Sequence, residues 1–136
     1  CYIEVGDWMR ILGIDPGYAI VGYGIIEYDG LHFSAISYGA ITTPTDKTFP
    51  ERISMIYDDL NFIIQKYKPD HLSIERLYFN TNPTTAIDVA QARGVILLAA
   101  QQNGVEVFEY TPLQVKQSIT GYGRAEKFQV MEMIMN

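Results

Sequence analysis

Two acids stand out by where they fall. Asp15 closes the apolar run Ile11-Leu12-Gly13-Ile14, and Glu75 closes the run Leu72-Ser73-Ile74. Each run reads as a short buried strand. If the two strands are parallel neighbours, both carboxylates emerge at one edge of a sheet. Two nearby carboxylates repel, and partial burial makes each charge more costly. A divalent cation relieves both problems, and oxygen donors suit Mg2+ or Mn2+. Each acid alone has a plainer role. Asp15 shapes the turn Asp15-Pro16-Gly17, and Glu75 pairs with the adjacent Arg76. Both acids together, at the ends of adjacent central strands, favour the metal reading.

The other candidates concern nucleic acid. The chain carries 16 acidic and 10 basic residues, a formal net charge of −6. Such a surface does not attract phosphate as a whole, so binding to nucleic acid requires a local patch. Between Tyr110 and Val130, Lys116, Arg124 and Lys127 outnumber the single acid Glu126. Their plain reading is a solvated helix face. Tyr78 and Phe79 follow the strand that ends at Glu75. On a loop, such rings stack on an unpaired base, worth about 1–3 kcal/mol, or they simply cover the loop. His32 and His71 have no metal-ligand partners in the sequence, and Met131, Met133 and Met135 read as helix filler.

These residues need a frame. Ile11–Ile14 is the first strand, and Ala19–Tyr28 the second, with Gly22 and Gly24 marking close approach of another backbone. Asp29-Gly30 supplies a two-residue hairpin turn, and Leu31–Ile41 returns as the third strand. Phe49, Ile53, Ile56, Leu60, Ile63, Ile64 and Tyr67 recur at helical spacing, and Pro69 ends that helix. Leu72–Ile74 is the fourth strand. Asn82-Pro83 starts a helix that Asn103-Gly104 stops after Gln102, and Val105–Glu109 is the fifth strand. Thr111 caps a short helix to about Ile119, Gly121-Tyr122-Gly123 is a loop, and Ala125–Met135 opens another helix. The Arg93-Gly94 step inside the second long helix implies close helix packing, within the subunit or across a dimer. The order β-β-β-α-β-α-β-α-α predicts an α/β fold with a five-stranded mixed sheet in the order 3-2-1-4-5, flanked by helices.

At 136 residues, with 48% hydrophobic and 19% charged, the composition is that of one globular domain. A lone cysteine, Cys1, excludes a disulfide framework and fits a reducing compartment, so the expected location is the cytoplasm. No apolar run reaches the ~18 residues of a membrane span, and no membrane partner is expected.

Several motifs together resemble one family. Gly13-Ile14-Asp15-Pro16-Gly17 with Gly22-Tyr23-Gly24, then Ile74-Glu75, then Gln91-Ala92-Arg93-Gly94-Val95, are similar to the RuvC family of Holliday junction resolvases. Phe108-Glu109-Tyr110, Gln114-Val115-Lys116-Gln117, Gly121-Tyr122-Gly123 and Ala125-Glu126-Lys127 continue the resemblance over about residues 10–136. It implies a ribonuclease-H-like fold, a homodimer, a branch-migration complex as partner, and cleavage of four-way DNA junctions in recombination and repair with Mg2+ or Mn2+. Asp15 matches the family's first catalytic and metal-binding acid and Glu75 its second. Lys116 and Lys127 match basic residues used on DNA near the cleaved strand. Tyr78 falls at the aromatic position that contacts bases near the crossover, with Phe79 the adjacent ring.

The resemblance also divides the chain. Residues 1–8 are an upstream extension or a cloning remnant, and residues 9–136 form a nuclease domain lacking its final helix. It implies four metal-binding acids, two of them an Asp-x-x-Asp pair on that further helix. Asp58-Asp59 has the wrong spacing, and Glu126 and Glu132 lie six apart. The expectation is that this stretch binds junctions without turnover. The competing readings are a non-catalytic junction-binding module, a ribonuclease-H-like nuclease acting on RNA, and a sugar-kinase-like or actin-like ATPase. The glutamine-alanine-arginine-glycine helix argues against the RNA nuclease, and the chain is too short for the ATPase.

Overall fold

The first long helix shows how local chemistry sets the frame. In the computed structural model, which describes residues 8–76 and 83–110, α1 spans Phe49–Tyr67. Thr48 is its N-cap. The Thr48 hydroxyl accepts from the Glu51 N–H, and the Glu51 carboxylate accepts from the Thr48 N–H, which satisfies two otherwise orphaned donors. Pro50 sits in the first turn, where no intrahelical N–H is needed. At the other end Lys68 turns left-handed (φ 50°), its N–H donates to the Ile64 carbonyl, and Pro69 cannot continue the helix. The buried stripe of α1 is Ile56, Leu60, Ile63 and Ile64.

The sheet has five strands: β1 (Met9–Asp15), β2 (Ile20–Tyr28), β3 (Phe33–Thr42), β4 (His71–Glu75) and β5 (Glu106–Tyr110). Helix α2 (Pro83–Gln102) joins the last two. The spatial order is β3-β2-β1-β4-β5, as the sequence predicts. The first three strands form an antiparallel meander, and β4 and β5 add in parallel. Both helices pack on one face of the sheet. There Leu12, Ile14, Val21, Ile25, Ile41, Leu72 and Ile74 meet Ile56 and Leu60 of α1 and Ala92, Ile96 and Ala99 of α2 in one core. Fully burying a side chain such as Ile14 or Ile74 contributes roughly 1.5–3 kcal/mol. Alternation along the strands then sends Asp15 and Glu75 away from that core. Among the described residues, no helix is long and apolar enough to cross a membrane.

Three local expectations change. The β2–β3 connection is four residues, 29–32, not a two-residue turn at Asp29-Gly30. Asp29 Oδ1 accepts from the N–H groups of Leu31 and His32, at 2.9 and 2.7 Å, and the Asp29 N–H donates to the His32 carbonyl. The aspartate side chain builds a wider loop than the dipeptide alone demands. Strand β1 begins at Met9, two residues before Ile11, because Arg10 is tied on both sides. Its N–H donates to Asp70 Oδ2 at 2.8 Å, and its guanidinium pairs with Glu27. Gly22 faces the Asp15 side chain across the β1–β2 pair, not another backbone, and a Cβ there would sit 3.6 Å from Asp15 Cβ, an ordinary contact.

The segment after Asp15 is braced from α1. Thr43, almost wholly buried, donates to the Tyr18 carbonyl at 2.7 Å and accepts from Arg52 Nε at 2.9 Å. The Arg52 guanidinium also lies 5.0 Å from the centre of the Tyr18 ring. Within this loop a Cβ on Gly17 would fall 2.3 Å from the Ile20 carbonyl oxygen, which no side chain tolerates without backbone movement. Gly17→Ala is therefore expected to destabilise the protein by about 1–3 kcal/mol, the usual range for overpacking. A matched pair of denaturant unfolding curves measures this.

Candidate active site at the carboxyl edge of the sheet

Parallel pairing of β1 with β4 sets the site. Ile14 is the register partner of Ile74, so the next residues, Asp15 and Glu75, end adjacent strands side by side on the same face. Neighbouring strands lie about 4.8 Å apart. On the other side of β4, Glu75 is the register partner of Tyr110, the last residue of β5. Three adjacent strand ends thus present Asp15, Glu75 and Tyr110 in a row.

The electrostatics follow from this packing. Asp15 keeps solvent access at the strand end, yet partial burial raises its pKa above the ordinary carboxylate value. Glu75 is half-buried, and its pKa is raised by burial and then by the Asp15 charge. The Tyr110 phenol is pushed up by burial, and further by Glu75 and Asp15. Each group reports the same field, in which negative charge is crowded and incompletely hydrated.

Arg76 does not pair with Glu75. Its Nε lies 3.3 Å from Glu109 Oε2, and its N–H donates to the Tyr110 carbonyl at 2.7 Å. Arg93 reaches the same place from α2. Its Nε donates to the Glu75 carbonyl at 3.3 Å, and its Nη2 lies 3.2 Å from Glu109 Oε1, an ion pair outside hydrogen-bond geometry. Arg93, followed by Arg76, holds the Glu109 carboxyl below its ordinary range. Among the described residues both cations at this edge are engaged by Glu109, and neither neutralises the acid pair.

Of the residues singled out from the sequence, the structure brings Asp15 and Glu75 together. Tyr78, Phe79, Lys116, Arg124 and Lys127 lie outside the described residues. Tyr110, Glu109 and Arg93 were not picked out as site residues. The run Phe108-Glu109-Tyr110 carried a usable signal for the first two, being a third strand that ends at the same edge in an acid and a phenol. Among the described residues no group of three or more His, Cys, Asp or Glu side chains forms a metal cluster. The available donor set is the two carboxylates, whose hard oxygens and uncompensated charge suit a divalent cation.

An antiparallel three-stranded meander extended by parallel β4 and β5, with acids at the ends of β1 and β4, defines the ribonuclease-H-like class. A family model described as "Crossover junction endodeoxyribonuclease RuvC" matches residues 11–136, and the chain belongs to the RuvC family. It is 56% identical over 126 residues to the protein of that description from Alkaliphilus oremlandii, covering 93% of this chain and 77% of the relative. Against that from Brevibacillus brevis it is 52% identical over 125 residues, covering 92% of this chain and 75% of the relative. The fold matches Thermus thermophilus RuvC, solved in complex with a Holliday junction substrate, with a TM-score of 0.76 and 26% identity. That match covers 93% of this chain and 78% of the other.

The raised carboxyl pKa values make a stability prediction. A carboxyl bound more tightly to its proton in the folded state contributes stability below its unfolded pKa, and that stability is lost as pH rises through the folded value. Both Asp15 and Glu75 act in this sense. Asp15→Asn removes one charge and relieves the other, so in chelator it is expected to unfold at a higher temperature than the parent at neutral pH. The gap should close as pH falls below the ordinary carboxylate range. Thermal unfolding across a pH series checks both the sign and the window.

Proposed function

We propose that this protein is a structure-specific endonuclease that cleaves four-way DNA junctions in recombination and repair, with Asp15 and Glu75 as its catalytic, metal-binding acids. One observation carries this reading for the site. Two partly desolvated carboxylates end adjacent parallel strands with no cation beside them among the described residues, in a chain of the RuvC family. Their oxygens suit Mg2+ or Mn2+. A divalent cation, when bound, supplies Lewis-acid polarisation of the scissile phosphate and a lowered pKa for water. Asp15 and Glu75 would hold it and accept hydrogen bonds from water. Tyr110 stays protonated beside them and offers an O–H donor rather than a third negative charge.

The DNA contacts belong to the same reading. Lys116, Arg124 and Lys127 are the basic patch that a chain of net charge −6 needs for phosphate, and Tyr78 or Phe79 is the ring that stacks at the crossover. A four-way junction offers two symmetric strands to cut, and a twofold homodimer supplies two equivalent sites. A branch-migration complex is the expected larger assembly, and the cytoplasm the expected place of action.

Helix α2 is the proposed dimer element. Ala92, Ile96 and Ala99 face the core, yet Ile87, Gln91, Gly94 and Leu98, spaced by four, three and four, form an exposed stripe along the helix. Among the described residues, a Cβ on Gly94 would meet nothing within 4 Å, so close packing among them does not account for that glycine. Packing against a second copy does.

Two measurements test the reading. The protein is expected to bind a labelled four-way junction at least tenfold more tightly than linear duplex in chelator. Where the Asp-x-x-Asp pair that the family resemblance implies is also present, added Mg2+ or Mn2+ should then give symmetric nicks that Asp15→Asn and Glu75→Gln each reduce by about a hundredfold or more, an expected loss of roughly 3 kcal/mol of transition-state stabilisation. Junction binding without nicks assigns this stretch the binding role alone, and equal affinity for duplex and junction overturns the proposal. For the dimer, Gly94→Leu favours the isolated helix by roughly 0.8 kcal/mol, yet should weaken association at least tenfold. Light scattering at tens of micromolar reads the difference.

A further inference from the structure

Arg93 comes from the middle of α2 and ends at the carboxyl edge of the sheet, in a place the acid pair does not explain. Its side chain is only 13% exposed. It does not touch the Glu75 carboxylate. It donates instead to the Glu75 main-chain carbonyl, while Glu109 on β5 holds the other arm of the guanidinium. The second Glu109 oxygen faces Arg76, whose own N–H is bonded to the Tyr110 carbonyl. A helix, the end of β4 and the end of β5 are thereby joined at the residue that carries the second acid.

We propose that Arg93 is a positioning residue for the acid pair, acting through Glu109 and the Glu75 main chain to hold the Glu75 carboxylate toward Asp15. The inference rests on the reading of Asp15 and Glu75 as a metal site. A strand's last residue has ladder bonds on one side only, so its direction is loosely set unless something beyond the ladder fixes it. A guanidinium suits the task because its planar fork donates to a carbonyl with one arm while the other arm forms an ion pair with a carboxylate. A lysine keeps the charge and much of the stem but offers a single point donor. Groups that orient metal ligands from outside the ligand set typically change metal affinity by 10–100-fold when removed.

The test uses the whole protein and Mn2+ binding followed by electron paramagnetic resonance, with amide exchange at Arg76 measured by NMR in chelator as a metal-free readout. Arg93→Lys is expected to weaken Mn2+ binding about tenfold and to speed exchange at Arg76. Junction affinity in chelator and the unfolding midpoint should stay near the parent values. Glu109→Gln should reproduce the Mn2+ effect, and the double variant should be no worse than either single one, because both changes release one fork. Mn2+ affinity and Arg76 exchange both within twofold of the parent in Arg93→Lys overturn the positioning role. So does a loss of Mn2+ affinity accompanied by equal losses of junction affinity and thermal stability. Asp15→Asn serves as the separate control. If it leaves Mn2+ binding intact, the metal-site reading fails, whatever Arg93 does.

Discussion

Like charges placed at neighbouring strand ends repel, and the rest of this fold is arranged around that conflict. Burial raises the Asp15 pKa, and burial followed by the Asp15 charge raises that of Glu75, which is the signature of an unrelieved cost. The cost exists because β1 and β4 run in parallel and end in register. Parallel pairing in turn needs a crossover connection, and α1 supplies it by packing across the core face of the sheet. The apolar stripe of α1 is therefore what keeps two acids side by side. Stability accumulates on one face, where Leu12, Ile14, Leu72 and Ile74 are fully buried, and is given up at one edge.

The strand order and the pairing of Asp15 with Glu75 were legible because they follow from periodicity, chain order and handedness. Helix α1 was legible in its apolar spacing, and Thr48 with Glu51 writes its start into the sequence. What could not be read was any contact whose partner is fixed only by packing. Arg76 stands next to Glu75 in sequence, and an adjacent acid and base invite pairing on paper. In the sheet, however, the strand carries the Glu75 side chain to one face, while Arg76 meets Glu109 on the next strand. Arg93 is 18 residues from Glu75 and reaches its carbonyl from a different layer. No local pattern encodes such a contact. The hairpin at Asp29 fails for a related reason: the turn dipeptide was visible, but the two bonds accepted by the Asp29 side chain decide the loop length.

The placement of cations at the edge is as informative as that of the acids. Two arginines lie at this edge, Arg93 bonded to the Glu75 main-chain carbonyl and Arg76 next to Glu75 in sequence, yet neither pairs with the Glu75 carboxylate. Both are held instead by Glu109, whose carboxyl they keep ionised. A direct Arg–Glu75 pair would favour the folded protein without metal and compete with any cation entering the site. Diverting the arginines to Glu109 keeps their structural use, which is to tie β4, β5 and α2 together, while leaving the acid pair's charge available. The cost of the uncompensated pair is thus localised instead of removed.

Helix α2 connects this edge to the outer surface. A helix with apolar residues all round has more than one face to cover, and α2 shows three. Ala92, Ile96 and Ala99 are inside, Arg93 is at the strand ends, and Ile87 and Leu98 are outside. Tyr57 and Asn61 of α1 clamp its carboxyl end, the first by donating to Gln102 Oε1 and the second by accepting from Asn103 Nδ2 at 2.6 Å. The outer stripe and the guanidinium at the Glu75 carbonyl thus belong to one helix, held along its length by Ala92, Ile96 and Ala99 and at its carboxyl end by α1.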